Sequence, residues 1–235
     1  MDVRFKKMNF LKFVICKKMK NSALFQNLFV VLLTVAPFCY AAMIWSQLPE
    51  TVPTHFDING NPNGFSSKNT ALLPIFFMMA LGLGVYFLIN NIEKIDPKRA
   101  NQLSKDTFNK IALLVVIFMS GLSIYIVHSM LQSTTGSFLF VLMGLFFAAL
   151  GNLMHSIQPN YFVGFRLPWT LSNDENWRKT HQLVGKLWFG GGLLIAFAAL
   201  LLKSQQAIFF MIAVLIMVCI IPIVYSFRLF KNKGL

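Results

Sequence analysis

The stretch "IALLVVIFMSGLSIYIVHSMLQSTTGSFLFVLMGLFFAALGNLMHSIQPNYFVGF", residues 111–165, contains no Asp, Glu, Lys or Arg in 55 residues. About 20 apolar residues are enough for a helix to cross a hydrocarbon core roughly 30 Å thick. The stretch is therefore too long for one crossing, and the polar hexapeptide QSTTGS at residues 132–137 divides it. It predicts two membrane-spanning helices joined by a short polar loop.

Four further uncharged runs each have the length of one span: residues 23–48, 69–92, 187–202 and 204–227, the last with Pro222 inside it. Of the chain's 235 residues, 56% are hydrophobic and 12% are charged, and the mean hydropathy is +0.63. Soluble domains carry roughly 25% charged residues. The chain is predicted to be an all-α integral membrane protein with six transmembrane helices.

The distribution of cations predicts the orientation, because positively charged loops stay in the cytosol. If the N-terminus is cytosolic, 19 of the 21 Lys and Arg residues lie inside, with Lys68 and Lys203 as the exceptions. Both ends are therefore predicted to be cytosolic. The net charge of +13 is then explained by basic inner loops that face anionic membrane lipids, so direct nucleic-acid binding is not expected.

We predict three regions. Residues 1–22 form a basic cytosolic segment, residues 23–131 a three-helix module with an outer loop at 48–69, and residues 132–235 a second three-helix module with an inner motif at 151–186. Phe, Met and Leu interleave the cations of residues 1–22, which suits an interfacial helix on the inner leaflet. A loosely held basic tail, or a native start at Met19, explains the same pattern.

Small residues predict where helices touch, because close backbone approach drives helix association in lipid. Gly144, Ala148 and Gly151 share a face of the fourth span, and residues 190–192 are three glycines that open a groove in the fifth. All eight carboxylates lie outside the predicted spans, whereas most proton-coupled transporters use a buried Asp or Glu. This pattern disfavours a proton-coupled transporter.

The outer loop, "LPETVPTHFDINGNPNGFSSK" at residues 48–68, is rich in prolines and glycines, which specify turns rather than a helix. We expect a fixed structure in which His55 hydrogen-bonds to backbone and Lys68 meets lipid headgroups. His55 and Asp57 form an H-x-D pair, but two ligands do not make a metal site, and none is predicted. The candidate functional residues of this loop are Pro53, His55, Asp57, Gly60 and Lys68.

The inner segment, residues 151–186, mixes amides, hydroxyls, histidine and cations beside the membrane. Pro159 and Pro168 bound an irregular piece, and Ser172 with Glu175 predicts a capping box that starts a helix continuing into the fifth span. We predict one connected polar site, with His181 as hydrogen-bond donor to the irregular piece and Arg166 as charged anchor. An interfacial belt of aromatic residues and cations is the alternative. The candidate site residues are Asn152, Asn160, Arg166, Trp169, Thr170, Trp177, Thr180, His181 and Lys186.

The run "GNLMHSIQPNYFVGFRLPWTLSNDENWRKTHQLVGK", residues 151–186, is similar to the signature of the SdpI-type immunity proteins, a bacterial family named for resistance to the sporulation-delaying-protein toxin. The outer run, with its LP-x-x-x-P-x-H-F pattern, resembles the small domain of unknown function that often precedes that signature. The resemblance spans residues 23–202. The chain departs from the family at His155, where proline is frequent, and at Leu167, where threonine is frequent.

The resemblance implies six spans with cytosolic ends in a bacterial plasma membrane, and protection against a secreted antimicrobial peptide or toxin. In some members it implies a cytosolic transcriptional repressor as partner, so immunity with signal transduction is the expected function. Neither a cofactor nor enzyme activity is implied, and the chain lacks H-E-x-x-H, nucleophile-elbow and phosphate-loop motifs. The alternative is a transporter or membrane-embedded enzyme for a small anionic or lipid substrate, with Arg166, His181 and Lys186 as anion ligands or His181 as base.

The cation bias yields a testable topology. Single cysteines at Asn63 and Thr134 should react with an impermeant thiol reagent in intact cells, whereas cysteines at Asn101 and Asn173 should react only after the membrane is opened. Labelling at Asn173 in intact cells would contradict a cytosolic inner segment.

Overall fold

A computed structural model describes residues 24–91, 105–132, 136–160 and 162–232. The predicted basic segment at 1–22 lies outside these residues. The helices are α1 (Leu24–Gln47, ending in the 3-10 turn Trp45–Gln47), α2 (Leu73–Asn90, after the 3-10 turn Thr70–Leu72), α3 (Lys105–Gln132), α4 (Phe138–Met154), α5 (Pro168–Leu171), α6 (Asp174–Leu201) and α7 (Ser204–Asn232).

Five of these helices are long and apolar enough to cross a membrane: α1, α2 with its preceding turn, α3, α6 and α7. The sixth apolar helix, α4, has 17 residues. The charge-free stretch divides where the polar hexapeptide predicted, because α3 ends at Gln132 and α4 begins at Phe138. Pro222 lies inside α7, which continues for ten further residues to Asn232.

The outer loop adds β-structure that the all-α prediction did not include. Strands β1 (Thr51–Phe56) and β2 (Pro62–Ser67) pair antiparallel, with Thr51 opposite Ser67 and Phe56 opposite Pro62. The prolines and glycines predicted turns rather than a helix, and both residue types are unfavourable inside a sheet. A two-stranded ribbon, however, consists only of edge strands, and edges tolerate proline because half of their backbone groups need no partner.

The hairpin is anchored on the ends of the first three helices. Leu48 and Val52 are buried in one apolar cluster with Ala41 of α1, Ile75 of α2 and Val127 of α3. On the rim of the hairpin the Lys68 ammonium lies 2.8 Å from the Glu50 carboxylate and 5.1 Å from the centre of the Trp45 ring. The hairpin therefore caps one end of the α1–α3 group.

The start of α6 differs from the predicted capping box. Asn173 is the N-cap, and its side chain accepts from the backbone N–H of Asn176 at 2.8 Å. The Ser172 hydroxyl instead donates to the Trp169 carbonyl, and Glu175 forms an ion pair with Lys179 at 2.8 Å. Because Asn and Ser are about equally good N-caps, the conformation of the turn before the helix determines which of them caps it. As predicted, the helix runs without a break into the apolar segment.

The backbones of α4 and α6 touch directly. A Cβ atom added to Gly144 would lie 2.5 Å from the Gly192 carbonyl oxygen and 2.6 Å from the Ala196 nitrogen. The three consecutive glycines of α6 do not form one groove, because each faces a different neighbour. Gly192 faces α4, Gly191 faces Val218 of α7 at 2.9 Å, and a Cβ at Gly190 would meet nothing within 4 Å.

This contact predicts that an added methyl group is tolerated at Gly190 and not at Gly192. Gly192→Ala should destabilise the protein by about 1–3 kcal/mol, the usual effect of overpacking. Gly190→Ala should be neutral or slightly stabilising, because alanine is the better helix former. Thermal unfolding of the two purified variants in the same detergent measures the difference, and equal midpoints would contradict the backbone contact.

Candidate functional site

The irregular segment between α4 and α5 is organised by one buried amide. Asn160 is 1% exposed. Its Nδ2 donates to the carbonyls of Gln158 at 2.8 Å and Val163 at 3.1 Å. Its Oδ1 accepts from the backbone N–H groups of Phe162 at 2.8 Å and Val163 at 2.7 Å. The Asn160 side chain thus supplies hydrogen-bond partners to four backbone groups of a segment that lacks regular backbone pairing.

Two stacked rings on α6 tie the same segment to the helix. The Trp177 Nε1–H donates to the Ile157 carbonyl at 2.8 Å, and His181 Nε2 accepts from the Phe165 backbone N–H at 3.0 Å. The second ring nitrogen, Nδ1, donates to the Trp177 carbonyl at 2.9 Å. The ring centroids of Trp177 and His181 lie 4.0 Å apart at 20°. We call Asn160, Trp177 and His181, with the backbone that they bind, the loop clamp.

The donor role predicted for His181 toward this segment is wrong. A backbone N–H can only donate, so His181 Nε2 must be an unprotonated acceptor, and the proton resides on Nδ1. Gly164 lies against the same ring with φ of +120°. A Cβ there would collide with His181 Nε2 and lie 3.2 Å from the Trp177 ring, so this position admits only glycine.

A second network joins α5, α6 and α7, and we call it the Ser226 network. Trp169 Nε1–H donates to the Ser226 hydroxyl at 3.0 Å, and the Asn176 side chain donates to the Ser226 carbonyl at 3.0 Å. The Thr180 hydroxyl donates to Asn176 Oδ1 at 3.0 Å. The Trp169 ring also packs edge-on against Phe227. Four polar side chains thereby join α5 and α6 to the last helix.

Thr170 fixes α5 to the irregular segment. Its hydroxyl accepts from the Leu167 backbone N–H at 2.9 Å and donates to the Phe165 carbonyl at 2.7 Å. Phe165 therefore has its N–H bound by His181 and its carbonyl bound by Thr170, which is fully buried. Arg166 follows directly and is exposed.

A third feature is a groove of about 320 Å³ between the end of α4 and α6. Its polar side chains all belong to exposed residues, and its floor contains two glycines. We call it the polar groove, and it is lined by Gly151, Asn152, His155, Gln182, Gly185, Lys186 and Phe189.

The nine predicted inner residues therefore occupy different places. The buried polar members bind the irregular segment or the Ser226 network, Asn152 and Lys186 line the polar groove, and Arg166 lies on the surface. Asn176 and Ser226 were not among the predicted residues. Asn176 lies one helical turn before Thr180, a spacing that could have indicated a pair. Ser226 is 46 residues beyond Thr180 in an apolar helix, and no local pattern indicates its role.

The outer candidates hold the hairpin together. Asp57 Oδ1 accepts from the backbone N–H groups of Asn61 at 2.8 Å and Asn59 at 2.9 Å, and the Asn61 bond is the main cause of its lowered pKa. Gly60 turns the chain with φ of 87°. His55 pairs with the Asn63 side chain instead of backbone. Lys68 pairs with Glu50, and Pro53 is buried in β1.

The loop clamp predicts a measurable stability difference. His181→Phe keeps a ring that can stack on Trp177 but leaves the Phe165 N–H without its acceptor, which should cost about 1–3 kcal/mol. Arg178→Ala on the exposed side of the same helix should have little effect. Thermal unfolding in detergent compares them, and a His181→Phe midpoint equal to that of the parent would exclude a structural role for the imidazole.

Two family models match parts of the chain. A family model described as the SdpI/YfhL protein family matches residues 156–226, and a domain of unknown function, DUF1648, matches residues 32–80. The chain is 23% identical to "Immunity protein SdpI" of Bacillus subtilis (strain 168) over 212 residues, covering 88% of this chain and 97% of that protein.

A shorter match is to an uncharacterized protein of Archaeoglobus fulgidus, 33% identical over 102 residues, or 35% of this chain and 56% of that protein. No solved structure matches the chain. The hairpin and the part of α1 from residue 32 onward lie within the DUF1648 match, whereas α5, α6 and most of the irregular segment lie within the SdpI/YfhL match. Residues 32–80 thus resemble DUF1648 and residues 156–226 resemble the SdpI/YfhL family, in a chain whose described part includes five helices long and apolar enough to cross a membrane.

Proposed function

We propose that this protein is a multi-pass plasma-membrane immunity protein that protects a bacterial cell against a secreted antimicrobial peptide or toxin. The observation that carries the proposal is the end-to-end similarity to an immunity protein, 97% of which is covered. That similarity includes both non-helical structures, the outer hairpin and the segment held by the loop clamp. Protection by this route is a binding or signalling function and requires no catalytic residue.

The proposal includes six spans with both ends in the cytosol. Five helices meet the length of a span, and α4 is the sixth. Its 17 residues extend about 26 Å at 1.5 Å per residue. This is slightly less than the hydrocarbon thickness, and bilayers accommodate such a mismatch by local thinning at modest cost. An even number of spans agrees with the strong cation bias of the predicted inner segments.

We propose that the outer hairpin contacts the toxin first. Ile58 at the turn is 49% exposed and Phe65 on β2 is 59% exposed. Apolar side chains on an exposed, rigid turn are suited to bind the apolar side of an amphipathic peptide. The hairpin itself does not need them for its anchoring, because Leu48 and Val52 supply the buried contacts.

On the predicted cytosolic side, we propose that exposed residues contact a partner and that buried residues stabilise the conformation of the irregular segment. Arg166 projects from the clamped segment and provides a cationic contact for a cytosolic regulator. His181 does not suit the role of general base in the alternative enzyme hypothesis. Both of its ring nitrogens are occupied, so proton uptake would break the bond to Phe165.

The proposal is tested by survival of cells with and without the gene against a panel of membrane-active peptides. The double variant Ile58→Ser/Phe65→Ser should lower the highest peptide concentration that the cells survive about tenfold. This corresponds to about 1.4 kcal/mol of lost binding. Its membrane abundance and thermal midpoint should equal those of the parent, since neither side chain is buried.

Thr54→Ala, at an exposed polar position of the same hairpin, is the matched control and should protect like the parent. If the gene confers no survival advantage against any peptide of the panel, the immunity function is wrong. If the double variant protects fully, the hairpin is not the contact surface.

A further inference from the structure

The polar groove is lined by four polar side chains. Asn152, His155, Gln182 and Lys186 are all exposed. None of them has a hydrogen bond or ion pair to any residue that the structure describes. The side chains of the loop clamp, in contrast, all have hydrogen-bond partners. Converging, unpartnered donors around a cavity of about 320 Å³ are the usual composition of a binding site.

We propose that the polar groove binds a phosphate group, namely the headgroup phosphate of an anionic phospholipid. Lys186 carries the one formal charge among the lining residues, and no carboxylate lines the groove. The nearest acidic residue along α6, Glu175, is paired with Lys179. The amides of Asn152 and Gln182 and the imidazole of His155 add neutral donors, so the site as a whole attracts an anion that accepts several hydrogen bonds.

The position of the groove along α4 and α6 favours a lipid as the source of the phosphate. On α6 the groove lies where the polar half of the helix gives way to the apolar half, between Lys186 and Phe189. Phe189 is 46% exposed, and Leu193 and Phe197 continue the same exposed apolar surface. On α4 the groove lies at the last turn of an apolar helix that ends at Met154. Both helices thus cross the boundary between headgroups and acyl chains at this level.

The glycines make the groove a fixed cavity. A Cβ added to Gly185 would lie 3.0 Å from the Gly151 carbonyl oxygen, so the helices meet at their backbones and leave open space on either side of the contact. The same contact that joins α4 and α6 therefore shapes the site. A ligand needs to order only the four polar side chains, which limits the entropic penalty of binding.

The test uses the purified full-length protein in detergent at physiological ionic strength, which screens non-specific attraction to the basic surface. Native mass spectrometry measures binding of dioleoylphosphatidylglycerol, dioleoylphosphatidylcholine and water-soluble glycerol phosphate. The parent should bind the anionic lipid at least tenfold more tightly than the zwitterionic lipid. Lys186→Gln should lose that preference, and Gln182→Leu should weaken binding without changing the net charge.

Arg178→Gln is the matched control, because it removes one exposed cation from the same helix outside the groove and leaves the Glu175–Lys179 ion pair intact. It should bind the anionic lipid like the parent. Equal binding of the two lipids by the parent, or full binding by Lys186→Gln, would overturn the proposal. If glycerol phosphate displaces the lipid at equal concentration, the phosphate site stands and its ligand is a soluble phosphate. None of these outcomes depends on protection against a peptide.

Discussion

The direct contact between the backbones of α4 and α6 is the constraint on which the C-terminal half depends. Lipid tails are as apolar as leucine, so helices in a bilayer associate through close packing rather than through exclusion of water. Gly144 and Gly192 permit that packing in the apolar region, and Gly151 and Gly185 continue it toward the polar ends. The contact fixes where the chain leaves α4 relative to α6, and both the loop clamp and the polar groove are built at that exit.

The segment that leaves α4 is irregular, and irregular backbone near a membrane requires internal partners because lipid supplies none. Here one amide, one indole, one imidazole and one hydroxyl, that of Thr170, supply them. Asn160 binds the segment from within, whereas Trp177 and His181 bind it from α6. The buried polar residues of the SdpI/YfhL match bind backbone groups and one another, and we propose that functional contacts belong to the exposed residues that they position.

Helix α3 contacts both non-helical structures. Near one end, Phe108 and Ile111 pack under the irregular segment and its supporting helix. Near the other end, Val127 packs under the outer hairpin. A helix of 28 residues is stiff over this distance, since every backbone bond within it is internal. Helix α3 thus rigidly connects the outer and inner surfaces to which we assign functions. It also connects the DUF1648 and SdpI/YfhL regions.

The positions of the apolar helices were predictable from the sequence alone, because the free energy of inserting a segment is close to a sum over its own residues. The hairpin was not, since Pro53 and Gly64 oppose strand formation unless both strands are edges and the underside is buried on helices. Nor could the sequence show that His181 accepts rather than donates, or that Ser226 binds Trp169. Those roles depend on which backbone groups arrive beside a side chain from distant parts of the chain, and only the tertiary structure determines that.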